Sequence, residues 1–258
     1  VVVPKVQVGV DSAHSSYYDF LNMEKAGRIV ATIHSELREA STPGIPLTTL
    51  DELAKSIVEK SGSTSSFLGY MGYPAYICAS PNDVIVHGIP GKYILDEGDI
   101  LSIDVGVSVN GYHADAALTY GVGKISAENQ ALIDVTRDAL YAGIALVADG
   151  QKLGTIGNKI EKIGNKFSYG VVKEYVGHGI GLEMHEDPQV PNYGKKNQGF
   201  TLKKGMAICI EPMFNIGSAQ TKVDDDEWTV RTFDGSNSAH WEHTIGIMDD
   251  EVRIFTEK

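Results

Sequence analysis

Two aspartates, Asp104 and Asp115, flank the dipeptide Asn110-Gly111 in the run LSIDVGVSVNGYHADAAL, and carboxylates so placed can grip divalent cations between them. Asn-Gly favours a two-residue hairpin turn, because both central positions take positive φ. Pairing Val109 with Tyr112 then sets the register. Gly106 faces Asp115, Asp104 lies two residues along on the same face, and the two carboxylates become diagonal neighbours with Cα atoms ~7–8 Å apart. Both can reach one pair of cations, whose usual separation is ~3.5–4 Å. Gly106 leaves room opposite Asp115 where a side chain would have stood. The hairpin alone also admits a second reading, in which Ser102, Asp104, Gly106 and Ser108 form a solvated face.

The second half of the chain weighs on that choice. In MAICIEP, Glu211 ends an apolar strand just before Pro212, and in SAHWEHTIGI, Glu242 sits inside another strand among apolar neighbours. Carboxylates are rarely buried unless paired or metal-bound. Either glutamate alone reads as a strand-end salt bridge, but two Asp and two Glu on strands, all aimed inward, are hard to hold together without cations. GHGIGLEMHEDP adds His178, flanked by Gly177 and Gly179 so that the backbone can approach a neighbour closely, and His185. Two other chemistries are excluded: Leu182 stands where a dinucleotide fingerprint needs its third glycine, and no H-E-x-x-H occurs.

These residues need elements to hold them. Met23, Ala26, Val30, Ile33 and Leu37 follow helical spacing, ended by Pro43-Gly44. Thr49 with Glu52 has the form of a capping box for a second helix carried by Leu50, Leu53 and Ile57 to a stop at Gly62. Asp83 to Val86 and the hairpin read as strands. The pattern then restarts. Ser126 caps a helix whose stripe runs Ile133, Leu140, Ile144 and Val147 before Gly150, and Ile156, Ile160 and Ile163 mark another. Further strands come at Ala207 to Ile210 and His240 to Ile247. Two helices then strands, given twice, predict an α+β pseudo-repeat whose halves meet near Gly121 to Ile125.

Bulk properties narrow the function classes. A chain of 258 residues with 42% hydrophobic content can build a substantial core. A net charge of −12 with no basic stretch disfavours nucleic acid or an anionic membrane as the main partner. Cys78 and Cys209, the two cysteines, allow neither a disulfide framework nor a four-thiolate zinc site, and reduced thiols fit a cytoplasmic protein. No apolar run reaches the ~18 residues of a membrane span, and VVVPKVQVGV is too short for a signal sequence. Because the chain starts without Met, a processed or trimmed start is expected.

From about Phe20 to Phe255 the chain resembles type I methionine aminopeptidases, the pita-bread metallopeptidases. The resemblance is carried by NDVIVHGIP (Asn82 to Pro90), the Asp104 and Asp115 hairpin, GHGIGLEMHEDP, IEPMF and AHWEHT, in order and at matching spacing. It implies a single catalytic domain over 1–258, with helices packed on a curved antiparallel sheet, pseudo-two-fold halves of about 17–122 and 123–258, and an N-terminal extension, 1–16. The absence of a long insert between His185 and Glu211 matches type I, and the lack of cysteine pairs argues against a zinc-finger extension.

By that resemblance Asp104, Asp115, His178, Glu211 and Glu242 are the metal ligands, with Asp115 and Glu242 bridging, while His87 and His185 are catalytic without being ligands. Two cations sharing a water lower its pKa and supply a bridging hydroxide. Glu211 is the expected general base, His185 the hydrogen-bond donor to the carbonyl oxygen, and His87 the group that contacts the scissile amide nitrogen. One imidazole among four carboxylates suits Mn, Fe(II), Co or Zn. Tyr70, Tyr73, Cys78, Met213 and Trp228 match the positions that hold a methionine side chain. Phe67 and Met184, at two more pocket positions, stand where the family has a small thiol and an aromatic, and Cys209 replaces a Thr. Asn82, Val84 and Ser238 match a monovalent-cation site. The implied activity is removal of the initiator methionine from nascent proteins and peptides with a small second residue, by a cytoplasmic monomer in transient contact with ribosomes. Two other readings are an Xaa-Pro peptidase of the same fold, which normally carries a large extra N-terminal domain, and a non-catalytic binding protein, which would usually have lost ligands. Asp224, Asp225, Asp226 and Glu227 read as a solvated loop, and His113, His240 and His243 as structural neighbours.

Overall fold

The helical stripe of the first segment is realised in full. In the computed structural model, which describes residues 17–257, Met23, Ala26, Val30, Ile33 and Leu37 are all buried along α1 (Tyr17–Ala40). The expected N-terminal extension, 1–16, lies outside the described residues. α2 (Leu47–Ser61) starts earlier than the expected cap at Thr49, directly after Pro46, and no side chain caps it. The reason is long-range: the first-turn N–H groups of Leu47 and Thr48 donate to the carbonyls of Tyr93 and Gly91, so those donors need no capping side chain. Gly62 then closes the helix in the left-handed region, φ 67°.

β1 (Thr64–Ser65), β2 (Cys78–Pro81) and β3 (Val84–Val86) lead to the hairpin of β4 (Ile100–Val109) and β5 (Tyr112–Gly121). Its register is as expected: Val109 pairs with Tyr112, Gly106 with Asp115 and Asp104 with Ala117. Leu101, Ile103, Val105 and Val107 pack in one core with Ile33, Leu37, Leu50 and Ala54 of the helices. The opposite face is not solvated, since Ser102 and Ser108 are buried as well. Nor does Gly106 leave an open space: a Cβ there would come within 2.7 Å of the Phe67 ring and 2.9 Å of Ser66 Cβ.

α3 (Ala127–Ile144) is capped as expected, Ser126 Oγ accepting from Asn129 N, and ends before Val147. After α4 (Leu153–Lys166) come β6 (Gly170–Val171), β7 (Gly177–Gly179), β8 (Glu186–Val190), β9 (Ala207–Ile210), β10 (Met213–Asn215), β11 (Thr221–Val223), β12 (Val230–Thr232), β13 (Ser238–His240), β14 (His243–Ile247) and β15 (Val252–Ile254). Ile133, Leu140, Ile156 and Ile160 pack with Ile208, Ile210, Ile245 and Ile247 in a second core. The class is α+β, helices over sheet in each half. All strand pairings are antiparallel, in a five-stranded sheet β15-β14-β9-β7-β8, two three-stranded sheets β13-β10-β6 and β11-β12-β3, and a four-stranded sheet in which β4 pairs with β1, β2 and β5. The run from His240 to Ile247 is therefore not one strand. It breaks at Trp241-Glu242, where the chain leaves one sheet and enters another. No described helix is long and apolar enough to cross a membrane.

Candidate metal centre

Glu211 and Glu242 occupy matching interruptions. β9 pairs with β14 and β10 with β13 in one unchanged register, so Glu211 stands opposite Glu242 where both strands switch sheets. β5 crosses this pair. Thr244 Oγ1 accepts from Asp115 N and donates to Asp115 O, both at 2.8 Å. Thr119 Oγ1 does the same for His240, accepting from its N at 2.9 Å and donating to its O at 2.7 Å. Between them Glu242 N donates to Ala117 O at 2.8 Å. Two threonine hydroxyls thus stand in for backbone ladder bonds where the two halves meet.

The side chains converge there. His178 Nε2 lies 3.6 Å from Glu211 Oε1, 3.9 Å from Glu242 Oε1 and 4.0 Å from Asp115 Oδ2. His240 Nε2 lies 3.6 Å from Glu211 Oε2 and 4.0 Å from Glu242 Oε2. These separations are too long for hydrogen bonds, but they suit atoms that share an ion, since ligands ~2.0–2.2 Å from one metal stand ~3–4 Å apart. Among the described residues two ligand sets emerge, one of Asp115, His178, Cys209 and Glu242 and one of Glu211, His240 and Glu242, each with its donor atoms within 4.8 Å of one another. Asp104 lies outside both sets, as the diagonal neighbour of Asp115 across the β4–β5 hairpin.

The residues fit a metal on chemical grounds. Asp104 Oδ1, Asp115 Oδ1, Glu242 Oε1 and His240 Nε2 are buried without a hydrogen-bond partner, a costly state that a cation relieves. The His178 ring is oriented for ligation: Nδ1 lies 2.9 Å from Gly179 O, and an N–H donated there leaves the Nε2 lone pair facing the carboxylates. Burial, and then the neighbouring His185, push His178 down to about 3, while burial pushes His240 down to about 4, so both imidazoles stay neutral. Burial foremost raises Asp104, Asp115, Glu211 and Glu242 above the usual carboxylate range. Repulsion adds to this, from Glu242 and Asp104 on Asp115 and from Glu211 and Asp104 on Glu242.

His87 and His185, expected to be catalytic without being ligands, border the cluster from different elements. His87, in the left-handed region at φ 59°, sets its ring edge-on to Tyr175 at 5.6 Å and Trp228 at 6.3 Å. Burial, then His240 and His185, lower its pKa to about 4. His185 lies at the exposed rim, its ring 4.3 Å from that of His178 and its Nδ1 2.8 Å from the Tyr70 hydroxyl.

Phe67, Tyr73, Cys78 and Met184 share one apolar cluster with Cys209, and Tyr70 and Trp228 pack against it. Tyr73 meets Trp228 edge-on at 5.0 Å and Phe67 at 6.4 Å. Met213 is not brought there. It is fully buried in a separate cluster with Val86, Val172 and Val230, as the strand partner of His240. Of the monovalent-cation positions, Asn82 O accepts from Ser238 N at 2.9 Å, and Val84 pairs with Arg231.

Several contributors escape a reading of residue types. His240, expected as a structural neighbour, reaches ligand position, as does Cys209. Thr119 and Thr244 gave one faint signal, each standing four residues beyond the residue, Asp115 or His240, whose counterpart it clamps. The acidic loop is not merely solvated: Asp226 Oδ1 accepts from Trp228 N at 2.9 Å and Thr229 N at 2.8 Å, while Asp224 pairs with Arg231 at 2.6 Å. It braces the backbone that carries Trp228.

Residues 21–249 match the model of metallopeptidase family M24. The chain is 47% identical to methionine aminopeptidase 1 of Bacillus subtilis, over 91% of this chain and 94% of that one. Crystal structures of methionine aminopeptidases from Thermotoga maritima and Rickettsia prowazekii superpose with TM-scores of 0.93 and 0.91, at 39% and 40% identity. The first covers 95% of this chain and 99% of its own, the second 93% and 98%. A prolidase from Pyrococcus furiosus shares the fold at TM-score 0.77 and 20% identity, and the alignment covers 95% of this chain but 65% of the prolidase.

Proposed function

This chain belongs to metallopeptidase family M24, and from that membership we propose that it is a methionine aminopeptidase, a metallo-exopeptidase of the pita-bread fold that removes the N-terminal methionine of nascent proteins and peptides. The observation that carries this reading is the buried four-carboxylate cluster with His178 and His240, bordered through His185 and Tyr70 by the aromatic slot. Asp104, Asp115, His178, Glu211 and Glu242 would hold two divalent cations, Mn, Fe(II), Co or Zn. Bound there, the cations supply Lewis acidity, lowering the pKa of water and polarising the scissile carbonyl.

The protein's own groups do the rest. Glu211 takes the proton from the attacking water and passes it to the departing amine; its side chain keeps 12% exposure where that of Glu242 keeps 2%, so it can be reached. A Tyr70 O–H donated to His185 Nδ1 leaves the ring proton on Nε2, where it can stabilise charge developing on the carbonyl oxygen. His87 contacts the scissile amide nitrogen. Tyr70, Tyr73, Cys78 and Trp228, with Phe67 and Met184, hold the methionine side chain, and thioether against aromatic rings is a favourable contact. Met213 lies outside this slot, as the strand partner of His240. The second side chain must lie beside His87 and the cations, which selects small residues.

The unit acts as a single catalytic domain of two pseudo-symmetric halves, about 17–122 and 123–258, as a cytoplasmic monomer in transient contact with ribosomes, with a monovalent cation near Asn82, Val84 and Ser238. The Xaa-Pro reading is not favoured, because likeness to the prolidase extends to the fold alone. Measuring kcat/KM on Met-Gly, Met-Ala, Met-Ser, Met-Lys and Met-Phe peptides and on X-Pro dipeptides tests the assignment. Cleavage of the first three and near inertness of the rest are expected; comparable values for Met-Ala and Met-Phe, or preference for an X-Pro bond, would overturn it.

A further inference from the structure

We infer that Cys209 supplies a sulfur ligand to the cation held by Asp115, His178 and Glu242, so that the two cation positions differ in chemistry. The inference rests on the metal-dependent reading above and adds a donor to it. Cys209 Sγ and one atom each of Asp115, His178 and Glu242 all lie within 4.8 Å of one another, and all four residues are buried. Cys209 pairs with Thr244, the residue whose hydroxyl clamps Asp115. A second observation points to an ion on this side: Asp115 Oδ1 and Glu242 Oε1 are buried without a hydrogen-bond partner.

The sulfur itself is loosely held. Its contact with Thr244 Oγ1 is 3.5 Å, and that hydroxyl is already engaged twice by Asp115. When an ion enters, the S–H proton leaves to solvent, a metal–sulfur bond forms, and nothing is oxidised or reduced. The other groups at the centre, Asp104, Glu211 and His240, carry no sulfur. Soft thiolate favours Zn over Mn, whereas carboxylate and imidazole alone do not exclude Mn. The Cys209 side is accordingly thiophilic and the other side is not.

The test is to strip the full-length protein of metal, reload it with Co(II), and record the near-ultraviolet thiolate-to-cobalt charge-transfer band alongside elemental analysis. The band should appear in the wild-type protein as cobalt is taken up. It should persist in Cys78→Ser and vanish in Cys209→Ser, with Cys209→Thr as the alternative should the serine variant fold poorly. The preference for Zn over Mn should fall at least about tenfold in the same variants. Full cobalt uptake by the wild-type protein with no such band would overturn the inference while leaving the metal centre standing, with Cys209 serving only as a neighbour of Thr244. A band that survives in Cys209→Ser would also overturn it. Failure of the wild-type protein to bind cobalt at all would overturn both.

Discussion

The hairpin that carries Asp104 and Asp115 and the strand pair that carries Glu211 and Glu242 place two carboxylates each, by opposite means. In the hairpin the ladder is unbroken, and the carboxylates are diagonal neighbours on one face. In the strand pair the ladder is interrupted, and the glutamates face each other where the chain passes between sheets. Neither region is self-sufficient. Asp115 is clamped by Thr244 from the second half, and His240 by Thr119 from the first. The centre belongs to the seam between the halves, which explains how side chains from strands far apart in sequence are held together.

The comparison breaks most severely at Glu242, the residue common to both ligand sets. Glu242→Ala should empty both sets, lowering bound metal on elemental analysis and kcat/KM by more than about 10²-fold, beyond the range that outer-sphere partners command. Asp104→Ala, removing a residue outside both sets, should leave more metal bound. His87→Ala should lower kcat by about 10²-fold with metal content unchanged; loss of metal in that variant would make His87 a ligand. Thr244→Val and Thr119→Val sharpen the symmetry. Each strands a buried N–H and C=O of the opposing half, a loss of about 1–3 kcal/mol per group left unsatisfied, so both should lower the urea midpoint, and Thr244→Val should also weaken metal binding at Asp115.

The smallest effect concerns the helix behind Asp115. His34 on α1 is buried with Nε2 2.8 Å from Ala116 O, and burial lowers its pKa from the ordinary 6.5 to about 4. The unfolded chain then binds the proton more readily than the folded one. Stability is full above pH 6.5 and falls as pH drops toward about 4. Replacing His34→Gln should flatten that part of the urea-midpoint profile relative to wild type; an unchanged slope would show that His34 is not the group titrating.

What could be read from the sequence was what is local. Asn110-Gly111 and the alternation of Ile103, Val105 and Val107 suffice for the hairpin and its register, because turn chemistry and a period of two act over a few residues. Ser126 is likewise a local cap. The start of α2 departs from the expected cap because its first donors are met by carbonyls of Tyr93 and Gly91, which no pattern around Thr49 reveals. The break at Trp241-Glu242 was hidden because apolar Ala239 and Trp241 alternate with His240 and Glu242 as in a continuous strand. Pro212, which cannot donate to a ladder, was the one sign of the matching break. His240 reads as a structural neighbour and Cys209 as the replacement of a Thr; the fold places both beside Glu242. Phe67 filling the space at Gly106 needed a fold in which distant segments meet.

The central claim is that a cation-loaded carboxylate cluster at the seam performs the hydrolysis. Stripping the protein with a chelator, verifying metal removal by elemental analysis, and following methionine release from a Met-Ala peptide before and after adding Mn or Co tests it most directly. The account predicts that turnover disappears with the metal and returns on its addition, with about two ions bound per chain at saturation. Full turnover by protein shown to be metal-free would contradict it.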